Sequence, residues 1–509
     1  MRRGRVDTGA AGDAAKRGTR ARRRVAPRGW WRYVAGVAIL GLLVYAAVEA
    51  RRSAYARQLP SLPELTKQTA SVSDHIRAAD RAARANPGST AVVGALCLAY
   101  HADMFYEEAD RCYAFAQRRD PSEWRWTYYR ALVNGDRGSG DGLTQGMREV
   151  VEAVPDFGLA WWRLGEAEFK GGRYDRAEEA YRRATTAAEL PPVPEAARIP
   201  RHAAGAPVSA YASVGLARVA LMRGDAASAR RLLERVTSEA RGFGPAWRLL
   251  GEAYEALGRG ADATRATRTA DRLPTASYYA DPMVDALLRE SRHTTFLLQE
   301  AAKTAVQIDA AWREFLTRRA LEFDRDNADV VHELATLLRA LGRHEEALEL
   351  LWRHQQLLPG DAQGLADIGQ SLARLGRSTE AGSYLRRALE TDDNPNTRYD
   401  LAMVLAQIGR TDEAVAEYQK ALDLNPNHLN ARNNLAAMLA RSGKLREAEI
   451  HLQRVLAAAP EHADAHTNLG IVFAARGQFD RAARELQEAL RINPGHLQAQ
   501  DALRAMGTR

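Results

Sequence analysis

The chain has 509 residues, of which 46% are hydrophobic and 27% are charged, so it holds enough apolar material for a packed core. Its two cysteines exclude a disulfide framework. The net charge of +8 comes from the first 32 residues, which contribute +9 and leave a body of −1. A near-neutral body excludes a nucleic-acid groove, because such a groove needs clustered positive charge to displace counterions.

An uncharged apolar segment follows the basic tail of residues 1–32 and runs from Tyr33 to Val48. As a helix it spans about 24 Å, a little less than the roughly 30 Å hydrocarbon core of a bilayer. Trp30 and Trp31 precede it, and indole rings favour the headgroup region. We therefore predict one transmembrane helix over residues 33–50.

The distribution of positive charge predicts the orientation of this anchor. Eleven basic residues stand before the apolar segment, and only Arg51, Arg52 and Arg57 follow it closely. The positive-inside rule places the N-terminus in the cytoplasm and the rest of the chain on the extracytoplasmic side, which is the periplasm in a Gram-negative cell. Two alternatives remain open. One is a signal peptide cleaved near residues 54–56, which read Ala-Tyr-Ala, and the other is a buried helix of a soluble protein.

Residues 51–89 are predicted to form a stalk and a leading helix. Residues 53–65 contain Pro60 and Pro63 and show no helical periodicity. Such a segment favours an extended connection over a packed element.

From about residue 90 onward, a unit of about 34 residues repeats along the chain. Eight units carry a turn glycine, and these glycines are Gly172, Gly224, Gly258, Gly342, Gly376, Gly409, Gly443 and Gly477. An alanine follows each glycine by five residues, namely Ala177, Ala229, Ala263, Ala347, Ala381, Ala414, Ala448 and Ala482. A glycine or alanine precedes each turn by seven residues, namely Gly165, Ala217, Gly251, Ala335, Gly369, Ala402, Ala436 and Gly470.

These columns have a physical explanation in a helical hairpin. Two small residues that face each other let antiparallel helices approach closely, and the large aliphatic residues beside them fill the remaining space. The glycine ends the first helix at a tight turn. No single hairpin buries its apolar face alone, so neighbouring hairpins must stack.

The columns resemble those of the tetratricopeptide repeat, a family of 34-residue helix-turn-helix units. Eight clear copies begin near residues 158, 210, 244, 328, 362, 395, 429 and 463, and three weaker copies begin near 90, 124 and 294. The resemblance implies an all-α, right-handed solenoid that binds proteins or peptides on its concave surface. The 66 arginines against 6 lysines are typical of a GC-rich bacterial genome.

The copies divide the rest of the chain into segments. We predict repeats over residues 90–191, 210–277 and 294–496, a proline-rich insert at 192–209, a spacer at 278–293 and a cap helix at 497–509.

No segment outside the repeats approaches the roughly 50 residues of a small independent domain. The chain contains no HExxH, GxxxxGK[ST], GxSxG or CxxCH motif. We therefore expect a protein that is not an enzyme and has no catalytic residues, cofactor or metal. Cys97 and Cys112 fall on the two helices of one hairpin, and although an oxidising compartment would favour a bond between them, we expect buried thiols.

The candidate peptide groove is the concave surface of the last two units, at Asn430, Asn433, Asn434, Arg441 and Asn468. An asparagine amide both donates and accepts hydrogen bonds, so it can hold a peptide backbone whatever the side chains are. We expect Asn434 and Asn468 to face solvent when nothing is bound. The alternative is that they are ordinary solvated helix starts. The chaperone-binding members of the family that the repeats resemble use a clamp of basic residues and asparagine for a terminal carboxylate. The equivalent helices here carry acids and alanines instead, so a chaperone co-factor role is disfavoured.

A second candidate surface is aromatic and comprises Trp124, Trp126, Tyr128, Tyr129 and Trp162. Dense rings can anchor a partner, although packing in the repeat core is the alternative. The sequence thus predicts a membrane-tethered scaffold for protein partners of unknown identity. A recognition subunit for an envelope polysaccharide or another non-protein ligand is the alternative.

Overall fold

The computed structural model describes residues 30–188, 206–273, 281–304 and 306–507. The described residues form helices joined by short turns. These are α1 (Trp30–Ala56), α2 (Ala70–Ala85), α3 (Thr90–Ala102), α4 (Tyr106–Arg119), α5 (Trp124–Asp136), α6 (Gly140–Ala153), α7 (Gly158–Lys170), α8 (Tyr174–Thr186), α9 (Val208–Met222), α10 (Ala226–Glu239), α11 (Gly244–Ala256), α12 (Gly260–Asp271), α13 (Pro282–Glu290), α14 (Thr294–Lys303), α15 (Val306–Phe323), α16 (Ala328–Ala340), α17 (His344–Leu357), α18 (Ala362–Arg374), α19 (Ser378–Thr391), α20 (Pro395–Gln407), α21 (Thr411–Leu424), α22 (Leu429–Arg441), α23 (Leu445–Ala458), α24 (Ala463–Ala475), α25 (Phe479–Ile492) and α26 (Leu497–Gly507).

The first helix, α1, stands apart from the core. From Trp31 to Ala56 it is long and apolar enough to cross a bilayer, by length and composition. Its apolar side chains are exposed, with Leu40 at 62% and Leu43 at 63%. The alternative of a buried helix in a soluble protein is therefore wrong.

The end of α1 and the segment after it pack against the first hairpins. Leu59 and Leu65 are buried. Arg84 of α2 donates hydrogen bonds to the carbonyl oxygens of Ala56 (3.2 Å) and Pro60 (2.6 Å). The segment predicted as a stalk is thus docked onto α2, because its backbone carbonyls and leucines find partners there.

The repeat units begin where the sequence columns place them. The first helices of units 90, 124, 158, 244, 294, 328, 362, 395, 429 and 463 start at those residues, and only the unit expected at 210 starts two residues earlier, at Val208. The all-α solenoid is confirmed. The turn glycines have positive φ, as at Gly477 (74°), which residues with a Cβ rarely adopt. The alanine column is buried throughout.

The helix-helix contacts explain the small-residue column. A Cβ added at Gly470 on α24 would lie 2.7 Å from Cγ of Leu486 on α25 and 3.2 Å from the carbonyl oxygen of Ala482. The two helices therefore touch almost backbone to backbone at this position. C-terminal to the last hairpin, α26 packs Ala499 onto its apolar face.

The first hairpin is built differently. Cys97 of α3 and Cys112 of α4 form a disulfide bond, so the expectation of two buried thiols is wrong. Cys97 occupies the small-residue position where paired helices approach most closely, and its Cα lies 5.2 Å from that of Cys112, within the range that a disulfide spans. Met104 stands where other units have the turn glycine, and it adopts a φ of 67°.

The predicted spacer contains a helix. Residues 281–293 include α13, which packs against α3 and joins the hydrophobic core of the first units. The predicted proline-rich insert lies largely outside the described residues, which resume at 206.

Candidate peptide-binding groove

The first helices of the last five units form one layer, since α16 contacts α18, α18 contacts α20 and α22 contacts α24. Residues at the same step of each helix therefore form a row along this layer. The row reads Glu333, Asp367, Asp400, Asn434 and Asn468. It changes from carboxylates to carboxamides along the chain.

The asparagine end of the row is a chain of hydrogen bonds. Asn468 Nδ2 donates to Asn433 Oδ1 at 3.0 Å, and Asn433 Nδ2 donates to Asn434 Oδ1 at 3.2 Å. Asn434 Nδ2 lies 3.4 Å from the hydroxyl of Tyr399 and 3.5 Å from that of Tyr418. The predicted side chains are thus brought together across two units, and they pair with each other.

Exposure divides the five predicted groove residues. Asn430 and Arg441 are exposed, Asn434 and Asn468 are half-buried, and Asn433 is buried at 6%. Asn434 and Asn468, which the sequence predicts to face solvent, are half-buried because they hydrogen-bond to neighbouring side chains, and Asn433 between them is covered. Asn430 and Arg441 lie eleven residues apart on α22, so about 16 Å separates them along the helix axis.

The carboxylate end of the row contains a paired acid. Asp367 is 2% exposed, forms an ion pair with Arg339 (2.6 Å) and accepts hydrogen bonds from His332 (2.9 Å) and Gln363 (2.9 Å). The hydrogen bond to Asp367 raises the pKa of His332. Such a fully bonded carboxylate fixes the layer and offers little to a ligand.

Asp400 is a different kind of acid. It is half-buried and accepts a hydrogen bond from Gln370 Nε2 at 2.6 Å, and among the described residues it has no ion pair. Burial raises its pKa to about 6. The middle of the groove therefore holds a carboxyl group that changes charge close to neutral pH. The signal of this in the sequence is limited to an acid on the groove face.

The predicted aromatic surface is mostly core. Trp126, Tyr128 and Tyr129 are at most 9% exposed, so the prediction that they lie on a binding surface is wrong. Tyr129 stacks on Tyr113 of the preceding hairpin, with ring centroids 5.7 Å apart. Ring packing between successive units is what buries them.

The two remaining rings are half-buried. Trp124 packs edge-on against Phe157 at 5.3 Å. Trp162 lies 5.6 Å from Tyr211, and both line a cavity of about 260 Å³ between the first helices of the middle units.

These observations define an α-helical repeat protein with a polar row on the inner face of its last units. Family models of the tetratricopeptide repeat match residues 147–192, 210–235, 332–397, 393–461 and 427–494. The chain therefore contains tetratricopeptide repeats over these residues.

Solved structures of this family resemble parts of the chain. YrrB, described as a TPR protein with an unusual peptide-binding site, is 28% identical over 36% of this chain and 96% of its own, with a TM-score of 0.32. Pseudomonas aeruginosa PilF is 20% identical over 41% of this chain and 95% of its own, with a TM-score of 0.37. Yeast Tom70 is 13% identical over 82% of this chain and 95% of its own, with a TM-score of 0.35. No curated protein matches the chain.

Proposed function

We propose that this protein is a membrane-tethered scaffold without catalytic activity that binds an extended segment of a partner protein along its last five units. The carrying observation is the hydrogen-bonded row from Tyr399 to Asn468 on the inner helix layer. Carboxamides in that position supply both donors and acceptors, which matches the alternating groups of a peptide backbone.

The dimensions of the row fit such a partner. Five helices packed about 9 Å apart extend over roughly 40 Å. An extended chain advances about 3.3 Å per residue, so about twelve residues of a partner would cover the row. Exposed Asn430 and Arg441 would meet the partner first, and the half-buried amides would exchange their mutual hydrogen bonds for bonds to it. Each amide would keep a hydrogen-bond partner during this exchange, so separating the asparagines from one another should cost little free energy.

Two features support a location on the far side of a membrane. The helix α1 follows a basic tail and carries its apolar side chains exposed, as a bilayer requires. The Cys97–Cys112 disulfide is typical of an oxidising compartment and is rare in the cytosol. We therefore propose a cytoplasmic N-terminus, a single membrane span and extracytoplasmic repeats, in the periplasm of a Gram-negative bacterium. A protease added to spheroplasts is then expected to digest the repeats and spare residues 1–32, whereas repeats protected from outside would contradict this topology.

Site-specific crosslinking tests the groove. A photo-crosslinking amino acid at Asn430 should form adducts with a partner in native membranes. The same amino acid at Arg446, exposed on the second helix of that hairpin, is the matched control and should form none. Adducts at both positions, or at neither, would contradict binding in the groove.

The alternative function is recognition of an envelope polysaccharide or another non-protein ligand. It is favoured by the cavity beside Trp162 and Tyr211, since aromatic faces can stack on sugars. Trp162→Ala should then abolish retention on the glycan and leave the crosslinks at Asn430 unchanged.

A further inference from the structure

A second groove, on the inner face of the first three units, is filled by the chain itself. Helix α13 packs against α3, and its side chains Met283, Leu287 and Leu288 are at most 4% exposed. Arg163, which contacts the residue before α13, occupies the same step of its unit as Asn434 does in the C-terminal groove. The segment thus lies on the positions that line the groove elsewhere in the array.

The start of α13 is held by a buried carboxylate. Asp281 is 1% exposed, and its Oδ2 accepts hydrogen bonds from the hydroxyl of Tyr128 (2.7 Å) and from Arg163 Nε (2.9 Å). Its other oxygen, Oδ1, accepts from the backbone N–H of Met283 at 2.9 Å and caps the helix. One side chain therefore both starts the helix and pairs it with the groove.

The chain after α13 is held by a second buried carboxylate. Asp103, at the turn of the first hairpin, is 1% exposed and accepts a hydrogen bond from the backbone N–H of Arg292 at 2.8 Å. Its other oxygen lies 2.8 Å from His75 Nδ1. The segment is thus held at both ends: Asp281 caps the start of α13, and Asp103 accepts a hydrogen bond from the backbone N–H of Arg292 after its end.

These contacts differ from those that build the repeats. Hairpins pair through columns of small residues between sequence neighbours, whereas residues 281–293 belong to no unit, and Arg292, two residues after α13, contacts Asp103, which is 189 positions away. Its fit depends on an Asp-Pro start, two buried leucines and the Arg163–Tyr128 pair. This is how a separate helix would be recognised in a groove.

We propose that the inner face of α3, α5 and α7 is a helix-binding site, separate from the asparagine groove, with α13 as its ligand within the same chain. Its ligands are short amphipathic helices that begin with Asp-Pro and carry leucines six and seven residues after the aspartate. A partner helix of this kind binds by displacing α13.

The test uses the full chain in detergent micelles and an acetylated, fluorescent peptide with the sequence of residues 280–293. In Asp281→Ala the internal segment loses its clamp, so the peptide should bind this variant at least tenfold more tightly than the unaltered chain. Glu290→Gln, an exposed position on the last turn of the same helix, is the matched control and should behave like the unaltered chain. A peptide with alanine in place of Asp281 should show no such increase in affinity for the variant.

Hydrogen exchange on the same samples separates a displaceable ligand from a part of the core. Protection should fall in residues 281–293 of Asp281→Ala and persist in α3 to α8. Loss of protection throughout α3 to α8 would overturn the proposal, because α13 would then be required for the fold. Equal affinity of the peptide for the variant and the unaltered chain would overturn it as well. Neither result would bear on crosslinking at Asn430.

Discussion

Gly470→Ala should destabilise the last units, although the same change usually strengthens a helix. Gly470 lies inside α24, where alanine gains about 1 kcal/mol of helix propensity. Its new Cβ would stand 2.7 Å from Leu486 Cγ and 3.2 Å from the carbonyl oxygen of Ala482. Leu486 is fully buried and a carbonyl belongs to the backbone, so neither can move aside freely. Overpacking costs about 1–3 kcal/mol, which leaves a net loss of up to about 2 kcal/mol.

A matched control exists on α19. A Cβ added at Gly382 would meet its neighbours at 3.7 Å or more, which is ordinary contact. Gly382→Ala should therefore stabilise by about 0.5–1 kcal/mol, so the same substitution has opposite signs at the two positions.

Hydrogen exchange along the full chain measures both changes. Gly470→Ala should lower protection in α22 to α26 and leave α2 to α8 unchanged, since each unit of a solenoid contacts only its neighbours. A stabilising Gly470→Ala would refute the close approach of α24 and α25. A uniform loss of protection along the chain would refute nearest-neighbour energetics.

Three further predictions follow from the groove and the first hairpin. Asn434→Ala with Asn468→Ala should weaken the affinity for a partner identified by crosslinking about ten- to a hundredfold, and this affinity should depend little on salt. Unchanged affinity would show that the asparagines are not part of the site. For Asp400, a folded-state pKa of about 6 against a usual 3.8 means that stability falls as pH rises from about 4 to 6. Asp400→Asn should therefore raise the melting temperature more at pH 7.5 than at pH 4.5. The corresponding gains in the free energy of unfolding should differ by on the order of 2 kcal/mol, and equal shifts at the two pH values would contradict the burial of the acid. Reduction of the Cys97–Cys112 disulfide opens a loop with a sequence separation of 15 residues and should destabilise the first hairpin by about 3 kcal/mol. Melting curves recorded with and without a reductant measure this loss, and an unchanged curve would exclude the bond.

The repeat units could be predicted because their signals are local. A turn glycine such as Gly477 and an alanine such as Ala482 report a tight turn and a close helix contact within one hairpin. Eight units repeat that contact, so the sequence carries the same information eight times. This redundancy places the first helices to within two residues.

Contacts between distant segments could not be predicted in this way. Asp281 and Tyr128 are 153 residues apart, and nothing in a nine-residue helix reveals which groove it occupies. The same reason explains the aromatic residues: Tyr129 belongs to the core because Tyr113 of another hairpin stacks on it. Asn433 looks like any groove asparagine until its neighbours in space are known.

The docking of α1 onto the first hairpins determines how the array is mounted. Tyr55 at the end of α1 packs edge-on against Phe115, and the guanidinium of Arg119 lies 4.0 Å from its ring centroid. Together with the hydrogen bond from Arg84 to the carbonyl oxygen of Pro60, these contacts fasten the end of the first helix to the repeats. Where α1 enters a bilayer as we propose, packed contacts attach the solenoid to the membrane helix, in place of a flexible linker. Its groove would then meet partners at one fixed height and angle, and a pull on a bound partner would reach the membrane as torque.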